Sequence, residues 1–250
     1  MIRSLAGTQR LLRIFSDDLA RQGRHSVYHY ILDAAHAHAM AGCTVLRGIG
    51  GVGRDRAIHT EISLEGADQR AISIEMVDEP ARIESFWRDV TSSLGNLYAA
   101  TRSVDVHRYS SAEECPKSVQ GAIGQGSSME KRSLTGEHSL LRIFVGEDDM
   151  IEESPLHLQI LKWSKERGLA GCSVFRGIAG FGASSVVHRN HILRFSSDLP
   201  ILIEMVDTSE RIRDFLCHIN PYLRGTLVTE ERVQVVQYRA HNQPEDPIDR

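Results

Sequence analysis

The sequence predicts an α+β chain in which one unit, an antiparallel sheet carrying two helices on one face, occurs twice. Three observations predict it. Blocks of sequence return at one fixed spacing, hydrophobic periodicity switches between strand and helix patterns inside each block, and turn residues stand at the switches.

The repetition is the firmest of the three. Leu11-Leu12-Arg13-Ile14-Phe15 recurs unchanged from Leu140 to Phe144. AGCTVLRGIGGVG (Ala41 to Gly53) returns as AGCSVFRGIAGFG (Ala170 to Gly182), and IEMVD (Ile74 to Asp78) returns from Ile203 to Asp207. All three pairs share an offset of 129 residues, and roughly 30 of the 99 gapless pairs from Leu11 to Tyr109 are identical. Chance does not hold one register through three blocks. The organisation expected is one domain over residues 10–110, a flexible linker over 111–138 built around GAIGQGSS, a second domain over 139–240, and a polar tail over 241–250.

Each element can be read twice. LLRIF alternates around Arg13 and Arg142 and suits a first strand. A helix follows: Leu156, Ile160 and Trp163 share one face, matched by Val27, Ile31 and Ala34, with Ser154 expected as cap and Pro155 in the first turn. Ala-Gly closes that helix, and the second strand runs from Cys43 to Ile49. A glycine-rich turn then leads to an extended segment, Ile58 to Leu64 or Val187 to Leu193. AISIEMVD and PILIEMVD form a further strand. The second helix places Ile83, Phe86, Trp87, Val90 and Leu94 on one stripe, with Asp78 and Asp207 as the expected N-caps of the two copies. A last strand alternates through Val104 and Val106, or Val233 and Val235. The resulting order, β-α-β-β-α-β, is the ferredoxin-like plan. Its other sheet face, on which alternating residues such as Ile72, Ile74 and Met76 are expected, needs a cover, so association is expected.

Composition bounds the function. A hydrophobic share of 41%, a charged share of 25% and a net charge of -4 describe an ordinary globular chain with no basic footprint for nucleic acid or anionic lipid. No apolar run reaches the roughly 20 residues that span a bilayer, and Met1 to Arg10 lacks the apolar core of a signal peptide, so a cytoplasmic address is expected. The four cysteines form no CxxC pair, and Cys43 and Cys172, equivalent in the two copies, read as small buried thiols.

The segments RGIGGVG and RGIAGFG, each followed by a histidine, carry a family likeness. In PII signalling proteins the second strand ends in a similar Arg-Gly stretch that opens the mobile T-loop. With LRIF, AGCSVFRGIAGFG, the LPILIEMVD strand and the closing V-x-x-Y, the chain more closely resembles the PII-like family known as domain of unknown function 190. The likeness implies a non-enzymatic regulator: a trimer of ferredoxin-like domains, here a homo-oligomer of three tandem chains, with a small-molecule effector such as an adenine nucleotide in the clefts. It also implies a partner, a membrane transporter or an enzyme, engaged through the loop. The ligand-binding residues it implies are Arg47, Gly48, Gly51, Gly53 and His59 in the first copy, and Arg176, Gly177, Gly180, Gly182 and His188 in the second. Two departures stand out. LGNLYAAT and YLRGTLVT replace the glycine-rich phosphate loop of PII proteins, and only a few residues separate Gly53 from Ile58, where the modifiable long loop would be.

From the residues alone, the glycine-rich segment either cradles an anion through freed N–H groups or simply lets the chain bend. Arg47 and Arg176 either pair with an anionic ligand or salt-bridge a neighbouring subunit. Catalytic residues, a cofactor and a metal site are not expected: there is no GxxxxGK[ST], no GxSxG, and His29, His36 and His38 have no counterparts in the second copy. Only His59 and His188 recur in register. The competing classes are a small ferredoxin-like enzyme with a polar residue in a sheet-face cavity, and a metal-tolerance protein akin to the copper-tolerance protein CutA.

Overall fold

A computed structural model describes residues 5–52, 58–60, 70–94, 97–107, 133–182, 188–189, 199–223 and 225–239. The first repeat runs β1 (Gly7–Asp17), β2 (Arg21–Gln22), β3 (His25–Ser26), α1 (Val27–Ala37), β4 (Cys43–Arg47), β5 (Gly50–Val52), β6 (Ile58–Thr60), β7 (Ala71–Asp78), α2 (Pro80–Leu94) and β8 (Tyr98–Val106). The second runs β9 (Ser133–Gly146), β10 (Met150–Ile151), β11 (Ser154–Pro155), α3 (Leu156–Glu166), β12 (Cys172–Phe181), β13 (His188–Arg189), β14 (Pro200–Asp207), α4 (Ser209–Ile219), a 3-10 turn at Asn220–Tyr222, and β15 (Leu227–Arg239). The chain is α+β and its strands pair antiparallel.

Alternation decides which side of each strand faces the helices. In β1, Leu12 and Ile14 join Ile72, Ile74 and Met76 of β7 beneath α1 and α2. The helices answer with Ile31, Leu32, Ile83 and Phe86, all at or below 2% exposure. In the second repeat Leu141, Ile143, Ile203 and Met205 pack under Ile160, Ile212, Phe215 and Ile219.

Ile72, Ile74 and Met76, expected on the free sheet face, therefore lie under the helices, and the opposite face, expected to be covered by neighbouring subunits, is covered within the chain and carries Leu11, Val77, Val104 and Val106. Strands follow the order β12-β14-β9-β15-β8-β1-β7-β4, and β4 pairs back onto β12, so eight strands close into a barrel with β13 flanking β12. The two repeats meet at two seams. At one, β8 and β15 pair through Val106 with Thr229 and Asp105 with Glu230. At the other, Gly177 to Phe181 of β12 run beside Cys43 to Leu46 of β4. Closing the sheet on itself pairs the Gly177 to Phe181 part of its edge and covers the inward face at once.

Several local expectations are corrected. Asp78 and Asp207 do not cap the second helix of each repeat. Each is fully buried and ties the end of its strand to the turn before the second strand, Asp78 Oδ2 accepting from Ala41 N at 2.9 Å and Asp207 Oδ2 from Ala170 N at 3.0 Å. Thr208 caps α4 instead, accepting from Arg211 N. Ser154 lies in β11 and Pro155 takes the N-cap position of α3 without a side-chain bond, because the short β10–β11 hairpin holds the entering chain. β9 begins at Ser133, inside the segment read as linker, since Leu134 pairs with Tyr238 beyond an irregularity in β15 and Gly136 takes a positive φ there. The glycine-rich segment of the second repeat is not a turn but the outer half of β12.

Candidate functional site

The segments singled out by sequence occupy equivalent hairpins put to different use. Gly51 pairs with His59 across β5 and β6, and Gly180 pairs with His188 across β12 and β13, so each recurrent histidine sits opposite the same glycine. In the first repeat this hairpin is a separate two-stranded sheet. In the second, the same hairpin strand also pairs with β4 and shuts the barrel. Gly53, and the segments from Glu61 and from Asn190 read as extended, lie outside the described residues.

The glycines of the second repeat serve close approach. A Cβ on Gly177 would stand 2.6 Å from Pro200 Cγ and 3.1 Å from Val45 O; one on Gly180 would stand 2.7 Å from Cys43 O. Gly182 meets nothing within 4 Å. Gly48 donates its N–H to Ala71 O at 2.8 Å. The two arginines find acidic partners in their own repeats at equivalent positions, not in a neighbouring subunit. Arg176 Nη2 holds Glu147 Oε1 at 2.6 Å, whereas Arg47 Nε stands 4.0 Å from Asp18 Oδ2.

The repeated carboxylates Glu75 and Glu204 are read from the sequence as lying opposite Ile74 and its counterpart, with Glu75 holding an interface or an arginine; Glu75 does pair with arginines across the repeats, but the sequence does not disclose the barrel that encloses it. Every second residue of the eight strands points inward, and the middle layer is ionic: Arg13, Arg102 and Arg142 face Glu75, Glu204 and Glu231. Arg142 is wholly buried and bridges the repeats, its Nη2 donating to Glu75 of the first and its Nε to Glu204 of the second at 2.7 Å. Burial works against its charge, but Glu75 and then Glu204 more than offset this and hold its pKa above the ordinary arginine value. Arg13 Nε forms a second ion pair with Glu75, 2.6 Å from its Oε1. The repeated arginine inside LLRIF and the repeated glutamate inside IEMVD were the signal for this layer, because they alternate with the core residues Leu12, Ile14, Ile74 and Met76, and Arg and Glu are buried on such a face only when paired.

Arg102 and Glu231 add a feature of the pairing itself. They are equivalent positions, 129 residues apart, and contact each other at 2.8 Å. A residue that meets its own counterpart lies on the pseudo-twofold axis, where two identical copies would set like charge on like charge. Burial raises the Glu231 carboxyl above its usual pKa, with Arg102 pulling it back; burial likewise lowers Arg102, with Glu231 opposing. Beside this pair, the hydrogen bond with His107 Nε2 at 2.9 Å depresses Glu230.

A cavity of about 450 Å³ opens at the second repeat, lined by Leu134, Leu140, Ser173, Glu204, Val206 and Val235 among others. Glu204 retains 25% side-chain exposure there, whereas its counterpart Glu75 retains 2%. Among the described residues no group of three His, Cys, Asp or Glu side chains is placed to hold a metal ion. Cys43 is free and buried, and burial, then the Glu75 charge, push its thiol far above the ordinary range. Cys172 is free and raised by burial, with a Ser164 hydrogen bond opposing. No helix among the described residues is long and apolar enough to cross a membrane.

Fold and interior together define a class: an α+β chain whose two repeats share one closed sheet around an ionic layer. The chain belongs to the family of domain of unknown function 190, described as uncharacterized ACR, whose profile matches residues 9–106 and again 138–235. It is similar to a UPF0166 protein of Aquifex aeolicus (strain VF5), 40% identical over 97 residues, covering 39% of this chain and 91% of that protein. A UPF0166 protein of Methanocaldococcus jannaschii is 36% identical over 77 residues, covering 31% of this chain and 70% of the relative. Among solved structures, CPII, a nitrogen regulatory PII-like protein from Thiomonas intermedia K12 bound to ADP, AMP and bicarbonate, aligns at 18% identity over 42% of this chain and 91% of its own, with a TM-score of 0.32. A chlorite dismutase from Candidatus Nitrospira defluvii aligns over 91% of this chain and 92% of its own at 8% identity, TM-score 0.29.

Proposed function

We propose that the chain is a non-enzymatic regulator of the PII-like kind, which takes a small-molecule effector beside the Arg-Gly segment of the first repeat and engages a partner protein through the β5–β6 hairpin. The observation that carries this reading is the unequal use of two equivalent segments. In the second repeat Gly177 to Phe181 are consumed in closing the barrel, and Arg176 is tied at 2.6 Å to Glu147. In the first repeat the hairpin stands apart from the main sheet, and among the described residues the acidic contact of Arg47 is Asp18 at 4.0 Å. A guanidinium so loosely engaged can turn to an anionic ligand and bind it bidentately at little loss. Of the ten residues expected to bind ligand, the reading therefore favours Arg47, Gly48, Gly51, Gly53 and His59.

An adenine nucleotide is the first effector to test, on the strength of the resemblance to PII-like domains. The closed barrel supports a single chain as the working unit in place of the trimer of tandem chains expected from that resemblance; light scattering near 27.9 kDa agrees with it, and three times that mass does not. Calorimetric titration of ATP, ADP and AMP tests the effector. Binding weakened at least tenfold by Arg47→Ala and less than twofold by Arg176→Ala is expected. No heat from any adenine nucleotide at millimolar concentration removes the nucleotide reading, and equal losses in both variants remove the assignment to the first repeat.

A further inference from the structure

The seam between β4 and β12 is only half formed. In the second repeat, residues 177–181 lie along residues 43–46 of the first, in the register Phe181 with Cys43, Gly180 with Thr44 and Gly177 with Leu46. Shifting each partner by the repeat offset gives the counterpart: Val52 with Cys172, Gly51 with Ser173 and Gly48 with Phe175. Among the described residues those pairs are absent, and β5 pairs with β6 in a separate sheet. Cys172 to Arg176 pair with β14 on one side and, among the described residues, with no strand on the other.

The consequences appear wherever the two repeats are compared position by position. Cys43 and Val45 are buried at 2% and 0%, while Cys172 and Val174 are only partly buried. Leu32 on α1 is fully buried, and its equivalent on α3, Leu161, is 37% exposed. Ile178 packs on the core of the first repeat, and its equivalent Ile49 is 77% exposed. Gly42 lies under Phe181 O, 3.2 Å from where its Cβ would be, whereas Gly171 meets nothing within 4 Å. The cavity that exposes Glu204 is lined by Ala170 to Ser173, the start of that same unpaired edge.

We infer that the open edge at Cys172 to Phe175 is the docking edge for Gly48 to Val52 of the same chain, so that the Arg-Gly arm has a second position in which it completes the barrel. Continuity with the seam already formed fixes both occupant and register: one antiparallel ladder crosses the pseudo-twofold axis, and half of it is built. Docking pairs the unpaired edge, brings Ile49 and Leu161 onto the core of the second repeat, and narrows the cavity at Glu204. β5 keeps β6 as its other neighbour, just as β12 holds β13 and β4 at once. This inference rests on the reading of the hairpin as the regulator's arm and gives that arm its two states, docked and extended.

The test is a cysteine pair placed by the inferred register in the full chain. Gly51→Cys with Ser173→Cys, in a Cys172→Ala background, brings two Cα atoms to a separation that a disulfide spans; Gly51→Cys with Phe175→Cys is the off-register control. After mild oxidation, more than half of the first variant should carry an intramolecular bond by peptide mass mapping, and less than a tenth of the control. Ile49→Asp added to the first variant should lower its yield several-fold. No bond in the first variant, or equal yields in both, overturns the inference; a bond only between chains assigns the edge to a second copy and overturns it too. Amide exchange in the parent chain is an independent readout at those amides of Ser173 to Phe175 that point away from β14: exchange there as slow as at Thr44 to Leu46 supports docking, and exchange at the rate of an unstructured chain refutes it. Neither measurement depends on a nucleotide, so the effector reading can fail while the docking edge stands, or the reverse.

Discussion

Arg102 and Glu231 offer a sharp test of how the two repeats choose each other. The Glu231 side chain is 7% exposed and that of Arg102 is 40% exposed, so their 2.8 Å contact is neither a surface pair nor a sealed one. Surface pairs contribute about 0.2–1 kcal/mol, while removing one partner of a buried pair costs about 3–5 kcal/mol. Arg102→Met, which keeps the stem and removes the charge, should fall between these limits, at about 2 kcal/mol. For a chain of this size that corresponds to a Tm lowered by about 4–8 °C. The pH dependence carries the sign. Burial already raises the Glu231 carboxyl above its unfolded value, so its contribution is lost as pH rises through the folded pKa and is recovered toward acid. Without Arg102, the carboxylate facing it from β15 keeps only the more distant Arg13 and Arg142, with Glu204 opposing. The deficit against the parent should therefore be largest near pH 8 and shrink toward pH 5. Arg102→Glu should be worse than Arg102→Met, because it sets like charges on the axis, and Glu231→Arg added to it should restore at least half of the loss. Calorimetry of the four proteins between pH 5 and 8 reads all of this. A parent-like Tm for Arg102→Met at pH 8, or a double reversal no better than the single one, would refute the complementarity argument.

Further outcomes follow from the same geometry. Arg142→Met strands Glu204 and leaves Glu75 with Arg13 alone, so it should cost about 3–5 kcal/mol, seen as a fall in the urea midpoint. Gly180→Ala must push a Cβ against Cys43 O and the Pro200 ring and should lose about 1–3 kcal/mol with faster amide exchange along β4, whereas Gly182→Ala should be within 0.5 kcal/mol of the parent by roughly the usual surface tolerance. Cys43, buried with its thiol pushed far up, should resist a neutral-pH disulfide reagent in the native chain and react fully in denaturant; fast native reaction would contradict its burial.

What the sequence by itself determined was the local layer of the molecule. A repeat in one register, strand and helix periods, and the in-register charges of LLRIF and IEMVD are properties of neighbouring residues, so the α+β class, the helix stripes and the main strands could be read from them. What only the tertiary structure decided was partnership. Asp78 and Asp207 look like helix caps because they precede helices, yet both bind a turn 37 positions upstream, which no local pattern encodes. RGIAGFG looks like a turn because glycine permits one; here its lack of a Cβ lets β12 lie against β4 and Pro200. Arg102 and Glu231 are unremarkable as neighbours of Val104 and Val233, and become meaningful only when the axis brings a residue onto its own counterpart. Which edge meets which depends on twist, closure and burial summed over all eight strands. Those are set by the whole sheet and not by any segment of the chain.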